Sequence, residues 1–486
     1  MAYEIVIGLE VHVELKTESK LCCGCSTKFN AEVNTLVCPV CLGLPGALPV
    51  LNKKAVELSI ITGLALNCEI AEHCQFDRKQ YFYPDLPKGY QLTQFYHPIG
   101  REGWLEVNLA GKNRKIGIPR IHLEEEAGRS YHAGKGIIDA EYSLLDYNRS
   151  SIPLLEIVTA PELHSPQEAK KFMECLKTTL EYIDVSDCKM AEGSLRCDAN
   201  ISVRHRGDLQ LGKRVEIKNM NSFRALEAAL EDEAKRQVSL LQQGTPLQRE
   251  ESRAWVEEKG RTLFMRFKEE PHEYRYFPDP DLLPIEIADH WIQDLRSQLP
   301  ELPQIKRQRY LREYELPAYD GELLSSSKQM ADFFELAVQA YDGEPKKVSN
   351  WILGELARLI NLEKIEFGQV KVTPGALAQL LTLLDQKVIN GKIAKMVFEE
   401  MFYTGKKPEA IVAEKDLEQV SDPKVIKEIV ARTIAAHPLP VRDYLRGKKK
   451  ALGFLVGQVM AETKGKANPE MVRDLLDEEL SFLLRS

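Results

Sequence analysis

The chain has 486 residues, 28% of them charged, and a formal net charge of −8. That length exceeds what one hydrophobic core organises, so roughly two to four domains are expected. The acidic balance argues against a dedicated non-specific nucleic-acid binder, which would be basic; any nucleic-acid partner would have to meet a local patch.

The opening stretch "MAYEIVIGLEVHVEL" reads as a strand and lacks the basic start and small-residue cleavage site of a signal peptide. The most apolar stretch, "AVELSIITGLALN", is too short to span a bilayer. A cytoplasmic location with no membrane partner is the expectation. Within "GLEVHVEL", Glu10, His12 and Glu14 share one strand face and Leu9, Val11 and Val13 the other. Three ionisable side chains in a row suit solvent or a hard cation.

"CCGCSTKFNAEVNTLVCPVC" follows. Cys22-x2-Cys25 and Cys38-x2-Cys41 carry zinc-knuckle spacing, and four thiolates would close the shell of a structural site. Cys23 is left spare in this reading. A set of free thiols, or a redox pair, is the alternative; no βαβ frame surrounds either pair to favour the redox motif.

"FDRKQYFYPDLPKGYQLTQF" interleaves Arg78, Lys79 and Lys88 with Tyr81, Phe82, Tyr83 and Tyr90. Basic groups hold phosphates and aromatics stack bases, although such a loop also packs well on a sheet. "IPRIHLEEEAGRS" places His122, Glu124, Glu125 and Glu126 close together. "IPLLEIVTAP" carries Glu156 in an otherwise apolar strand, where a carboxylate wants a cation or donor. Glu10, His12, Glu125 and Glu156 together would give an oxygen-rich site with one imidazole, suited to Mg²⁺ or Mn²⁺. In "EGSLRCDANISVR", Arg196, Asp198, Asn200 and Ser202 alternate with Leu195, Cys197, Ala199 and Ile201. Beside "EIKNMNSFRAL", with Lys218 and Asn219, that polar face suits nucleotide contacts or plain solvent.

Strands and helices come in irregular order up to about residue 296, which predicts an α+β region. "SPQEAKKFMECLKTTLEYI" predicts a helix capped by Ser165, with Glu168 completing a capping box. From 297 strands become scarce. Thr373-Pro374 and Asn390-Gly391 mark helix starts, and a third, helical segment begins near 408. There Arg442, Arg446, Lys448, Lys449, Lys450, Lys464 and Lys466 stand against Asp443 and Glu462, a patch fit for RNA backbone or an ordinary solvated surface.

Some motifs are missing. There is no Walker A sequence and no G-x-S-x-G elbow, and Gly134-Lys135-Gly136 lacks its third glycine. Ser325 to Lys328 fits S-x-x-K without companion motifs. A nucleophilic hydrolase or glutaminase is therefore not encoded, and an ATP site would have to use a sheet face plus metal.

Quoted in order, "IGLEVHVEL", "FDRKQYFYPDLPKGYQLTQF", "GIPRIHLEEEAGRS", "PLLEIVTAP", "EGSLRCDANIS", "EIKNMNSFRAL", "YRYFPDPDL" and "LGFLVGQVMAETKGKANP" resemble the B-subunit family of the aspartyl/glutamyl-tRNA amidotransferases over essentially the whole chain. The resemblance implies a cradle domain related in fold to glutamine synthetase over 1–296, a helical domain over 297–407 and a tRNA-binding tail over 408–486. It implies a heterotrimer with a glutaminase A subunit and a small C subunit. Misacylated Glu-tRNA(Gln) or Asp-tRNA(Asn) would be the substrate, and the cognate non-discriminating synthetase a further partner. ATP would phosphorylate the side-chain carboxylate and ammonia would displace the phosphate. By the same resemblance His12, Glu125 and Glu156 are metal candidates, with Glu10 nearby and Glu124 second in line. Alternation puts Glu124 and Glu125 on opposite faces, so a bulge or a strand end is needed if both are to reach one site. Glu10, Lys79, Lys88 and Asp198 are candidates for the chemistry; Lys79, Tyr81, Arg196, Asn200 and Lys218 for nucleotide contact. Some members lack the cysteine knuckle, which places zinc outside the reaction. "YHAGKGIIDAEYS", in the 130–143 loop, is longer than in the shortest members. Two other classes fit the residues: an RNA-binding scaffold braced by zinc, and a ligase acting on a free amino acid.

Overall fold

The computed structural model describes residues 2–109, 111–133, 140–268, 271–419, 422–463 and 465–485. Lys464 and the centre of the 130–143 loop, including Gly134-Lys135-Gly136, lie outside the described residues. The chain divides into two compact units, Met1–Gln304 and Ile305–Ser486.

The first unit is α+β. Its main strands are β1 (Tyr3–Glu14), β2 (His73–Gln80), β3 (Tyr90–His97), β4 (Gly100–Leu109), β5 (Lys112–Glu125), β6 (Pro153–Val158), β7 (Leu195–His205), β8 (Val215–Lys218), β9 (Glu251–Val256) and β10 (Arg261–Phe267). They belong to one sheet, in the order β10-β9-β8-β7-β1-β6-β5-β3-β2, with β4 on β5. Every pair in that order is antiparallel except β8 with β9.

One face is apolar because alternate positions are. Leu9, Val11, Val13, Ile121, Leu123, Leu155, Ile157, Ala199 and Ile201 are each at most 1% exposed. Against them pack α1 (Lys53–Ala65), α2 (Pro166–Tyr182) and α3 (Phe223–Gln242). Ser165 caps α2 by accepting the Glu168 N–H at 3.1 Å. The Glu168 carboxylate does not close the reciprocal box on Ser165. It accepts the His164 N–H at 2.7 Å and pairs with Arg114. Trp291 and Leu302 pack on this same core, which carries the first unit past 296.

The second unit is helical. Thr373 caps α4 (Pro374–Asp385) and Asn390 caps α5 (Gly391–Thr404), each accepting backbone N–H groups of the first turn. Its buried side chains form two clusters, one from Tyr310 to Val412 and one from Ile426 to Leu480. Ser327 of the S-x-x-K coincidence caps the helix Lys328–Gln339 and accepts the Met330 N–H.

Candidate active site

The polar face of the sheet is built by register. His12 of β1 lies opposite Arg196 of β7 and opposite Glu156 of β6, and Glu156 lies opposite His122 of β5. One row across four strands therefore reads Arg196, His12, Glu156, His122. The row beside it pairs Asp198 with Glu10 and Val158 with Arg120. On the other side Glu124 pairs with Leu154 and with Thr93.

These rows floor a cavity of about 1070 Å³. Glu10, His12, Lys79, Tyr81, Glu124, Glu156, Arg196, Asp198 and Lys218 all line it. Asn200 lines an adjoining cavity of about 430 Å³, where its amide donates to Glu10 at 2.9 Å.

At the centre, His12, Glu124 and Glu156 each offer a ligand atom, all within 4.8 Å of one another. His12 Nε2 is 3.6 Å from Glu124 and 3.7 Å from Glu156, and His122 Nε2 is 3.1 Å from Glu156. Burial and the charge of Glu156 raise the pKa of Glu124 well above the ordinary carboxylate range. Burial would raise Glu156 too, but the His122 and His12 imidazoles and Lys79 pull it down. The two shifts run in opposite directions, as expected where two carboxylates share a site. Burial lowers His122, whose Nδ1 has no hydrogen-bond partner among the described residues.

Glu125 is the principal departure from expectation. It does not join His12 and Glu156. The strand carries no bulge at this point, so Glu124 and Glu125 obey strict alternation. Glu125 turns to the other side, where its carboxylate accepts from Lys88 Nζ at 2.5 Å, from the Leu92 N–H at 2.9 Å and from the Ser151 hydroxyl. Lys88 goes with it and does not line the cavity, because its ammonium is consumed by this buried pair. Glu124, on the face that alternation from His122 selects, groups with His12 and Glu156 instead.

Lys79 sits over the rings of Tyr274 at 4.9 Å and Tyr81 at 5.4 Å. The Tyr81 hydroxyl donates to Gln91 at 3.1 Å, and burial beside Glu124 keeps the phenol neutral by raising its pKa. Burial opposes charge on Lys218, yet Asp198 at 2.5 Å and Glu216 at 3.5 Å raise its pKa. Arg78 serves structure: it pairs with Asp279 at 2.6 Å and Asp281 at 2.8 Å.

Sequence reasoning missed Arg149 and Tyr276. Arg196 donates to Glu126, and Arg149 donates to Glu14 and, at 3.4 Å, to Glu126. Tyr276 stacks on Phe95 with ring centroids 3.9 Å apart at the cavity wall. Arg149 and Tyr276 lie outside the strands, where no period marks them.

The cysteines also differ from expectation. Cys23, Cys25, Cys38 and Cys41 gather their sulfurs within 4.8 Å of one another, and Cys22 does not join them. Cys22 follows Leu21 into the apolar core and is 3% exposed. Burial pushes its thiol up. Cys41 is held down at about 5 by a hydrogen bond from the Cys23 thiol, against its burial. Four clustered sulfurs with a low-pKa member fit a zinc ion. In the tail Arg442, Arg446, Lys448, Lys449 and Lys450 are exposed, and Lys466 pairs with Asp416 at 2.7 Å. No helix among the described residues is long and apolar enough to cross a membrane.

Residues 5–293 match the family model for the GatB/GatE catalytic domain, and residues 332–480 match that for the GatB domain. The chain is 55% identical over 481 residues to the B subunit of the aspartyl/glutamyl-tRNA(Asn/Gln) amidotransferase from Thermoanaerobacter sp. (strain X514), covering 99% of this chain and 100% of that one. It is 54% identical over 481 residues to the corresponding protein of Moorella thermoacetica, covering 99% and 100%. It is 51% identical over 476 residues to that of Thermodesulfovibrio yellowstonii, covering 98% and 99%. With both family models matched in order and the relatives aligned end to end, the chain belongs to the GatB/GatE family of amidotransferase B subunits.

Proposed function

We propose that this chain carries out the ATP-dependent half of the transamidation of misacylated Glu-tRNA(Gln), Asp-tRNA(Asn) or both. The observation that carries the reading is the His12, Glu124, Glu156 cluster on the floor of a large cavity ringed by Lys79, Arg196 and Lys218. A carboxylate is a poor electrophile. Its oxygen attacks the γ-phosphorus of ATP and ADP leaves, giving an acyl phosphate. Ammonia then attacks the acyl carbon, inorganic phosphate leaves and the nitrogen loses a proton.

His12, Glu124 and Glu156 would hold Mg²⁺ or Mn²⁺, whose charge neutralises phosphate oxygens. The donor set fits: two carboxylates and one imidazole. Lys79 offers an ammonium with aromatic faces on its flank and no carboxylate in ion-pairing distance among the described residues, which suits it to a mobile phosphate. Arg196, Asp198 and Lys218 form a charged wall for the nucleotide, while Glu10 and Asn200 border it. Cys23, Cys25, Cys38 and Cys41 would hold a structural zinc ion.

Ammonia has to come from a glutaminase A subunit, since no nucleophile of that kind stands in the cavity among the described residues. A small C subunit completes the assembly, the tail's basic patch holds the tRNA body, and a cytoplasmic location follows from the translation role. The test is transfer of ³²P from ATP in the reconstituted assembly, with each misacylated tRNA in turn. Labelled acyl phosphate with wild type and about a hundredfold less with Glu124→Gln is expected. Equal label in both would sink the reading. Activity on free glutamate without tRNA would favour the stand-alone ligase.

A further inference from the structure

Lys20 is a lysine at 0% exposure. No carboxylate lies within ion-pairing distance of it among the described residues. Its Nζ has two polar neighbours: Cys41 Sγ at 3.7 Å and the Tyr147 carbonyl at 3.2 Å. An ammonium removed from water needs an anion. The Cys41 sulfur supplies one, and a divalent cation held by four thiolates extends it to a unit of net negative charge.

Tyr147 belongs to a stretch stitched to the cysteine loop. Asn34 donates to the Leu145 carbonyl at 2.9 Å and accepts the Tyr147 N–H at 2.7 Å. Asn148 accepts the Leu36 N–H at 2.8 Å and donates to the Glu32 carbonyl at 2.7 Å. The Leu21 N–H donates to the Ser151 carbonyl at 2.8 Å. The same stretch sends Arg149 to Glu14 and Glu126, and Ser151 to Glu125.

We infer that Lys20 is a positioning residue that couples the metal site to the cavity. It neutralises the four-cysteine cluster at one end and ties Tyr147 at the other, so that metal occupancy sets the order of residues 145–151. Through that stretch it fixes Arg149 against Glu14 and Glu126, and Ser151 against Glu125, at the end of the strand that carries Glu124. The inference rests on the zinc reading above.

Metal analysis of the purified full-length protein separates the two. Zinc at about one ion per chain is expected. A metal-free chain that also fails to develop thiolate-to-cobalt absorption with Co²⁺ overturns the zinc reading and this inference with it. With zinc present, Lys20→Met should lose it to a chelator at least about tenfold faster than wild type, and Lys20→Arg, which keeps the cation, within about threefold. In wild type, stripping the zinc should raise amide exchange at residues 145–151 while α2 keeps its protection. That measurement needs no variant to fold. Unchanged zinc release in Lys20→Met, or unchanged exchange at 145–151 after zinc removal, would overturn the inference and leave the zinc site standing.

Discussion

Glu124 and Glu125 are consecutive residues whose carboxylates lie on opposite sides of one sheet: that of Glu124 is 3.6 Å from His12 Nε2, and that of Glu125 is 2.5 Å from Lys88 Nζ. Their substitutions should separate cleanly. Glu124→Gln should lower acyl-phosphate formation by about two orders of magnitude and leave the melting temperature within a few degrees of wild type. Glu125→Gln strands a buried ammonium and should cost about 3 kcal/mol of stability, read as a lower denaturant midpoint. If Glu125→Gln folds as well as wild type and loses only phosphoryl transfer, the assignment is reversed.

The cysteines give a second contrast. Cys23→Ser removes a sulfur from the cluster and should lower zinc content after dialysis. Cys22→Ser should keep its zinc and lose about 1 to 3 kcal/mol, because a hydroxyl without a partner enters the core. Zinc retention and thermal melting of the two variants decide the matter.

Acid stability should depend on Glu216. Burial alone would raise its pKa, but Lys218, Lys268 and the Ser252 hydroxyl hold it at about 2, below its ordinary 4.5. A depressed folded pKa stabilises above the unfolded value, and that contribution is lost as pH falls from about 4.5 towards 2. Lys268→Met should therefore shift the acid-unfolding midpoint to higher pH, with little change in stability near pH 2. A titration followed by far-UV circular dichroism measures this. An unmoved midpoint would remove Lys268 from the account.

Lys79→Ala should reduce turnover by about tenfold to a hundredfold with little change in melting temperature, since Lys79 contributes ring contacts and no ion pair among the described residues. Lys79→Arg should recover part of the rate. Full activity in Lys79→Ala would show that the phosphate is met by another cation.

The polar face was legible because period two is a strong local signal. The alternation of Glu10 and His12 against Leu9, Val11 and Val13, and of Arg196 and Asp198 against Cys197 and Ala199, appears intact in the sheet. The same rule, started from His122, selects Glu124; the family resemblance pointed to its neighbour. With three glutamates in succession, composition does not say which one faces inward, and the pairing of Glu124 with Thr93 and Leu154 decides it. Adjacent Cys22 and Cys23 pose the same problem. Spacing favours Cys22, while packing behind Leu21 takes it into the core. Arg149 and Tyr276 meet their partners across long sequence separations, which no short window reports.

The place of β1 has a consequence for synthesis. It is central in the sheet, yet both of its neighbours, Pro153–Val158 and Leu195–His205, leave the ribosome long after it. Until then a strand with Ile7, Leu9, Val11 and Val13 on one side has neither flank to bond to. Distant pairings close slowly and leave unpaired edges open to aggregation. The nascent chain should accordingly depend on chaperone protection over its first two hundred or so residues, and should form its site only after β7 has emerged.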